Sequence, residues 1–454
     1  MNSLFRHAVF LLGLFLVPVF AFTQEFGFDA TTSLGASRTA NSSLNTGFRV
    51  DGWWKVPLGT SGSLFDGSAH TGFTLSGSVG DIEKALLYDI DRIRLLFVIP
   101  SPGNDVKSLH IEFGRLSFQD ATGLIVSHPA DGAKLGAVFP LLKFNLQAGY
   151  TGLLMKSNNS ISLSLFDEQL LADDSSFFGT SRILVAGELS IPKVFNQSVA
   201  LSFVAQQDLN PADKLIPEWT INPYTETVPR GGRFNSQYTT LNLSGALSAD
   251  LFYSSWFTLG SGRTLSWLED QNSATGFSYQ YVQIQSVMTG FTLNYYRQEL
   301  FHSAFNIRFL YASGDQDYSA VTEGNTGGNS TMFVPVTSAP FGLVFSPVLS
   351  NLMIAEFGGS IKPIPEKNLQ TGLRLFAFFR PTSGPVAASG LKAGENSSLL
   401  GYEADMYGNY RLYSDLGMSL NTGLFFPVSS PLGAFNKEDA GVQYSIQFAL
   451  TLGL

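Results

Sequence analysis

The chain has 454 residues, of which 14% are charged and 44% hydrophobic, and its formal net charge is −9. The charged fraction is well below the roughly 25% of ordinary soluble domains, and an acidic chain lacks the clustered lysine and arginine that nucleic-acid phosphates require. Cysteine is absent, which excludes disulfides, thiolate metal sites and a lipid-modified N-terminal cysteine.

The first residues have the pattern of a secretory signal peptide. A basic pair precedes an apolar run over residues 8–22, which is shorter than the ~20 residues that a membrane-spanning helix needs. Small residues near position 21 suit a signal peptidase, with cleavage after Thr23 as the alternative. We therefore predict a cleaved signal peptide over 1–21 and a single domain over 22–454.

The mature chain is organised as about 18 alternating segments of roughly 10 to 15 residues, bounded by Gly, Pro, Asn, Asp or Ser. The final segment, 442–454, is the clearest, because every second residue is apolar and those between are polar or small. A two-residue period places an apolar medium on one face of a strand. The fold class we predict is all-β, a transmembrane antiparallel β-barrel of about 18 strands (16–18), in which the last strand pairs with the first.

The polar face of these segments carries the charges. From Leu400 to Leu412, the apolar residues alternate with Glu403, Asp405 and Arg411. A charge facing lipid near the midplane costs about 2 to 4 kcal/mol, so the charged face must line the lumen. The segment 277–298 is expected to be one long strand, with a bulge or an extra hairpin near Val287 where the alternation slips.

The connections alternate between long and short, as barrels with short periplasmic turns and long external loops require. We also treat the connection 119–132 as a candidate for folding into the lumen. The long connections are expected near 156–179, 207–235, 313–350, 381–398 and 428–440, and the short ones near 192–197, 250, 299–303, 364–367 and 413–414.

Seven inward candidates form a mixed-sign set that could line a constriction with a transverse field. The alternative is that they pair across adjacent strands only to satisfy one another. Arg115 shares its parity with Phe113, so it enters the lumen only where a bulge or strand end turns it. The candidates are Arg115, Arg308, Glu356, Arg374, Glu403, Asp405 and Arg411, with Lys362 and Arg380 on the same inward face as the last six.

Motifs of enzymes and metal sites are not found. The chain has no Walker A loop, no His-Glu-x-x-His and no Gly-x-Ser-x-Gly, and its histidines are scattered. The acidic residues of 313–350 lack the EF-hand pattern. We expect neither catalysis nor a cofactor nor a metal.

Three patches resemble the alginate-export family of outer-membrane barrels, which is related to substrate-specific porins of 18 strands. They are Phe113–Asp120, Tyr311–Asp315, and Leu400–Asp405 followed by Ser414–Leu416 and Gly423–Pro427. The resemblance implies an outer-membrane transport barrel. The polyanion exporters of that family are thought to have a strongly positive lumen, whereas the lumen predicted here has mixed sign, which argues against alginate itself.

The sequence therefore predicts an outer-membrane porin of a diderm bacterium that passes small polar solutes passively. The alternatives are a plugged transporter of hydrophobic substrates and a barrel-anchored surface or adhesive protein. The expected partners are outer-membrane lipids, small polar solutes and the barrel-assembly machinery, which would recognise the strand 442–454. The identity of the solute, the direction of transport and the oligomeric state are left open.

Overall fold

A computed structural model describes residues 25–39, 42–78, 81–103, 105–156, 159–172, 176–210, 233–272, 277–316, 328–392 and 394–453. These residues form one antiparallel sheet of 18 strands, in which every strand pairs with its neighbours in the sequence and β18 pairs with β1. The predicted closed barrel and its strand number are therefore confirmed, whereas the predicted signal peptide 1–21 lies outside the described residues.

The strands tile the chain almost without interruption. Their bounds are β1 Glu25–Arg38, β2 Ser42–Pro57, β3 Leu64–Ser78, β4 Asp81–Gly103, β5 Val106–Gln119, β6 Ser127–Val138, β7 Lys143–Tyr150, β8 Arg182–Val194, β9 Gln197–Asp208, β10 Phe234–Ala246, β11 Leu251–Glu269, β12 Phe277–Arg297, β13 Ser303–Ala312, β14 Leu352–Ile364, β15 Leu369–Phe379, β16 Leu399–Arg411, β17 Leu416–Pro427 and β18 Gln443–Gly453. A short helix, α1 (Leu165–Ala172), lies in the connection between β7 and β8, and a 3₁₀ turn over Pro365–Lys367 joins β14 to β15.

Closure of the barrel follows from the alternating pattern of the last strand. In the β1–β18 pair, Leu34 lies opposite Phe448 and Ala36 lies opposite Ile446, so the apolar faces of the two strands coincide. Because a closed sheet has no edge, every strand can satisfy its backbone groups within the barrel, as hydrocarbon demands.

The outer face of the barrel is apolar. Alternate side chains on successive strands stay about half exposed, which in water would leave a large apolar surface uncovered. Hydrocarbon is the medium that such a band requires. Examples on five strands are Leu201, Leu241, Phe309, Leu375 and Phe426. The barrel therefore spans a membrane.

The two ends of the barrel differ in their connections. One end carries the tight turns between β8 and β9, β12 and β13, and β16 and β17, together with Glu25 and Gly453. The other end carries the long connections 151–181, 209–233, 313–351, 380–398 and 428–442. The predicted alternation is confirmed, and the long-loop end is by this rule the external one.

The segment 277–298 is confirmed as one long strand, β12, but two expectations about the alternation are wrong. Leu400 was expected to face lipid, but it is completely buried. The pairing of β15 with β16 shifts at this point, because Phe378 lies opposite Gly401 and Phe379 lies opposite Leu399, which leaves Leu400 without a partner in the register. The strand β12 pairs with both neighbours without a register shift, so no bulge lies at Val287. The apolar residues that break the alternation, such as Ile284 and Met288, are buried inside, because apolar loop residues fill this part of the barrel.

The core of the protein therefore lies within the barrel, towards the end with the long loops. Inward side chains such as Leu184, Tyr238 and Phe425 pack there against residues from the loops. Among the described residues, no helix has the length and apolar character needed to cross a membrane.

Candidate functional site: lumen and constriction loop

The connection between β13 and β14 folds back into the barrel. Residues 328–350, here named the constriction loop, contribute Phe333, Val336, Phe341 and Phe345 to the internal core, each at most about one-twentieth exposed. A loop this apolar cannot stay in water without exposing its side chains. It therefore narrows the lumen from the side of β13 to β17.

Two neighbouring connections pack onto the constriction loop through backbone hydrogen bonds. Thr337 N donates to Ile125 O at 3.0 Å, and Ser162 N donates to Val336 O at 2.9 Å. The predicted inward connection 119–132 is thus shorter than expected, because β6 already begins at Ser127. Its remaining residues, 120–126, do contact the constriction loop, and Leu124 to Val126 are buried.

Two carboxylates on β16 hold the tip of the constriction loop. Glu403 accepts hydrogen bonds from the backbone amides of Val344 at 2.7 Å and Phe345 at 2.8 Å. Asp405 accepts from the amide of Leu343 at 3.1 Å and from the guanidinium of Arg374 at 3.0 Å. Both carboxylates are only 2% exposed. They supply acceptors to loop amides that would otherwise be buried without a partner.

Glycines on both sides allow this close contact. A Cβ at Gly342 would lie 2.6 Å from the Glu403 carboxylate, and a Cβ at Gly423 would lie 2.7 Å from Asp405 Oδ1. Beside them, the ring of Phe345 stacks on Phe425 with a centroid distance of 4.4 Å. The tip of the loop is therefore held by hydrogen bonds to the two carboxylates and by the stacking of Phe345 on Phe425. The two glycines make this close approach possible because they have no side chain.

The other predicted lumen residues of this sector surround the same tip. Arg308 pairs with Glu356 on the neighbouring strand. The guanidinium of Arg308 lies 5.9 Å from the ring centroid of Phe341, whose carbonyl accepts a hydrogen bond from Arg374 at 3.3 Å. Arg411, by contrast, is exposed at the other end of β16. The structure thus brings five of the seven candidates together and covers most of them with the loop.

The sixth candidate, Arg115, follows a glycine that interrupts the regular strand. Gly114 has φ 117°, and a Cβ there would meet the carbonyl oxygen of Ile93 at 2.1 Å. The Arg115 guanidinium, 11% exposed, pairs with Asp89 at 3.1 Å and with Asp131 at 3.0 Å. It also donates to the carbonyls of Ile90 and Leu153. Arg115 therefore ties three strands to the start of the β7–β8 connection.

A second buried network anchors the helix of that connection. Ser164 caps α1, since its hydroxyl accepts from the amide of Asp167 at 3.1 Å and its own amide donates to the Asp167 carboxylate at 2.9 Å. Arg182 bridges Asp167 at 2.5 Å and Asp208 at 2.7 Å, with all three side chains at most 1% exposed. Such a charge network is costly to break because each remaining charge would be buried alone.

A second group of charges lies on the opposite wall of the lumen, at residues that the sequence analysis did not single out. Across β3 to β6, Asp66 binds Arg92 at 3.0 Å and Arg94 at 2.8 Å, Glu112 binds Arg94 at 3.0 Å, and Lys134 lies 3.7 Å from Glu112. We name these five residues the charged wall. Register places them on the face opposite the lipid-facing Phe73, Phe97, Phe113 and Leu135.

The cations of the charged wall reach further into the lumen than its anions. The side chains of Arg92 and Lys134 are 46% and 34% exposed, whereas those of Asp66 and Glu112 are 6% and 13% exposed. The carboxylates therefore lie behind the guanidinium and ammonium groups. On β3 to β6, acidic and basic residues alternate with residues of the lipid-facing side, and this pattern could have revealed the charged wall from the sequence.

A histidine and two aspartates lie beside the charged wall, on β2 to β4. The ligand atoms of Asp51, His70 and Asp91 lie within 4.8 Å of one another. Arg49 already pairs with Asp51 at 2.5 Å and lies 3.7 Å from Asp91, while His70 Nδ1 lies 2.9 Å from Asp91. Because a guanidinium already neutralises these carboxylates, the arrangement is an ion-pair network rather than a metal site.

A recess of about 430 Å³ continues the charged wall. It is lined by Lys134 and Glu188 and by the uncharged polar side chains of Asn145, Gln147 and Ser202. These residues share the inward face, since Lys134 pairs with Gln147 and Glu188 pairs with both Asn145 and Ser202. The recess offers both signs of charge and several amide and hydroxyl groups.

The C-terminal part of the chain matches the family model described as alginate export, over residues 283–443. This confirms the resemblance predicted from Tyr311–Asp315 and from Leu400–Pro427, whereas Phe113–Asp120 lies outside the match. No curated protein sequence matches the chain.

Several solved structures from Pseudomonas aeruginosa share the fold along nearly the whole chain. OccK7 (OpdD) gives a TM-score of 0.54 at 10% identity, covering 96% of this chain and 99% of that one. OpdQ gives 0.53 at 9% identity with coverages of 96% and 99%, and OccK5 (OpdH) gives 0.51 at 11% identity with 95% and 98%. At such identities the likeness establishes the fold of an outer-membrane barrel.

Proposed function

We propose that this protein is a passive outer-membrane channel for small polar solutes. The observation that carries the proposal is the charged wall, whose Arg92 and Lys134 are exposed inside the barrel, while on the opposite side the constriction loop covers Glu403 and Asp405. Exposed charges need water. The polar path then runs between the constriction loop and β2 to β6, past a mixed-charge surface.

The chemistry of this path favours solutes that carry oxygen atoms with negative or partial negative charge. Three cations face two carboxylates in the charged wall, and the cations are the more exposed. Hydroxylated or carboxylated solutes can exchange water contacts for contacts to guanidinium groups. The recess between Lys134 and Glu188 suits a solute that also carries a donor.

The rival functions fit these observations less well. A plugged transporter of hydrophobic substrates needs an apolar surface open to its cargo, but the apolar side chains of the constriction loop are buried against the barrel wall. A surface adhesin needs its loops outside, whereas large parts of three external connections pack inside. The recognition of β18 by the assembly machinery stays a prediction.

The test is the ion preference of single channels in planar bilayers. A double change, Arg92→Glu with Lys134→Glu, alters the lumen by four charge units, each worth about 0.4 kcal/mol on an ion ~10 Å away in water. Screening at ~0.1 M salt leaves about 0.6 kcal/mol in total. Because the double change favours cations and disfavours anions by the same amount, the cation-to-anion permeability ratio should change by about 1.2 kcal/mol, which is roughly a sevenfold shift towards cations.

A matched control changes the net charge equally outside the lumen. Lys84→Glu with Lys107→Glu does so, because both lysines are exposed on the face that carries Leu86 and Leu109. The control is expected to keep the wild-type ratio. A folded wild-type protein without conductance, or equal ratios in both double variants, would refute the proposed path.

A further inference from the structure

Two arginines surround one tyrosine on the outer face of the barrel, at the end with the long loops. The guanidinium carbon of Arg263 lies 4.5 Å from the ring centroid of Tyr281. Arg233 donates to the hydroxyl of the same tyrosine at 3.3 Å and to the carbonyl of Asp208 at 3.2 Å. We name these three residues the rim cluster.

The rim cluster faces away from the lumen. On β12, Tyr281 and Phe291 share the exposed face, while Val282 and Ile284 are buried inside the barrel. On β11, Arg263 follows Phe257 and Leu259 at alternate positions and is itself exposed. The cluster is therefore open to whatever surrounds the barrel at this height.

Among the residues that the structure describes, nothing neutralises the charge of the rim cluster. Within the described ranges, no carboxylate forms an ion pair with Arg233 or Arg263, and Arg233 Nε is buried without a hydrogen-bond partner. Arg297, at the other end of β12, differs in this respect. It also donates to a tyrosine, Tyr295, at 3.2 Å, but it pairs with Glu299 at 3.3 Å.

The height of the rim cluster matches the headgroup layer. Leu259 is the last apolar residue on the outer face of β11 before Arg263, and the outward positions alongside are polar, among them Gln237, Gln283 and Gln285. Four residues of a tilted strand rise on the order of 10 Å. The guanidinium groups therefore lie about one headgroup depth above the acyl chains.

We propose that the rim cluster binds a phosphate group of a glycolipid in the outer leaflet. Two guanidinium groups around one tyrosine offer several N–H donors to one tetrahedral anion, an arrangement that matches phosphate better than a single cation does. Phe257 and Leu259 lie directly below, where the acyl chains of the same molecule would pack. This combination selects a lipid-borne phosphate over a free one.

The test measures the binding of purified lipopolysaccharide to the folded full chain in detergent, by native mass spectrometry. The double variant Arg233→Ser, Arg263→Ser is expected to bind at least tenfold more weakly than wild type. Arg297→Ser is the matched control, since it removes an outward arginine that lies beside a tyrosine on β12, the strand that also carries Tyr281. This variant should bind lipopolysaccharide as wild type does. Enzymatically dephosphorylated lipopolysaccharide should bind wild type as weakly as the intact lipid binds the double variant.

Further readouts separate this site from the pore and from free phosphate. Single-channel conductance of the double variant should equal that of wild type, and 10- to 100-fold molar excesses of inorganic phosphate should not compete with the lipid. Equal lipid binding by the double variant and wild type would overturn the proposal. Complete competition by inorganic phosphate would also overturn it, because the site would then take the free anion.

Discussion

Removing the carboxylate of Glu403 should release the tip of the constriction loop. Its two oxygens accept two backbone amides, at 2.7 and 2.8 Å, from residues that are otherwise buried. A hydrogen bond to a charged group contributes about 1.5–3 kcal/mol, so Glu403→Ala should weaken the seating of the tip by about 3–6 kcal/mol. Each 1.4 kcal/mol is tenfold in an equilibrium constant, which gives a shift of at least about a hundredfold towards the released tip.

The assay combines single-channel recording with limited proteolysis. Release of the tip should add open states of higher conductance and should expose Phe341 and Phe345 to chymotrypsin. Glu403→Gln keeps one carbonyl acceptor and the side-chain shape, so we expect about half the effect. Glu188→Ala removes an inward carboxylate that lines the recess instead of holding the loop tip. Wild-type conductance and protease resistance in a folded Glu403→Ala barrel would refute the reasoning.

Three further predictions concern the wall of the barrel. Leu375→Arg, on the lipid face, should lower the free energy of unfolding in vesicles by about 2 to 4 kcal/mol. An equal loss for Gln370→Arg, on the inward face of the same strand, would contradict the assignment of the two faces of β15. Arg182→Ala leaves two buried carboxylates unpaired and should cost about 3–5 kcal/mol; an unchanged thermal transition would show that the network is not needed. Gly423→Val should unseat the loop and expose it to protease, whereas Gly417→Val, with open space around its Cβ, should not.

The sequence predicts the barrel well because the membrane acts on every strand in the same way. Any outward residue between the two interfaces meets hydrocarbon, so alternation over 442–454 is enough to place β18 against β1. The alternation of long and short connections has the same source. Neither property depends on contacts between particular distant residues.

Alternation fails where the inside of the barrel is not aqueous. Leu400, Ile284 and Met288 are apolar yet face inward, because the constriction loop covers that part of the wall. A local pattern cannot show which loop folds inward, since that depends on side chains far apart in the sequence. Glu403 and Asp405 contact the constriction loop through its backbone amides, which have no signature in residue type.

The selectivity role assigned to Arg308, Glu356, Arg374, Glu403 and Asp405 stays a prediction, now with a structural alternative. Glu356, Glu403 and Asp405 are buried, and Arg308 and Arg374 contact Phe341 of the constriction loop, so the group supports the loop. Arg92 and Lys134, on the opposite wall, are exposed without contacting the loop tip. The C-terminal strands supplied most of the predicted lumen residues because their alternation is the most regular. The charged wall alternates too, but the register shift between Ser68 and Ala69 and the positive φ of Gly114 interrupt its strands.

Cysteine accessibility tests most directly whether the aqueous path follows the charged wall. The chain contains no cysteine, so single substitutions give an unambiguous target. Arg92→Cys should react with an anionic, membrane-impermeant thiosulfonate during recording, and its conductance should fall stepwise, while Phe97→Cys, on the lipid face, should stay unmodified. An unreactive Arg92→Cys, or one whose modification leaves conductance unchanged, would contradict the account.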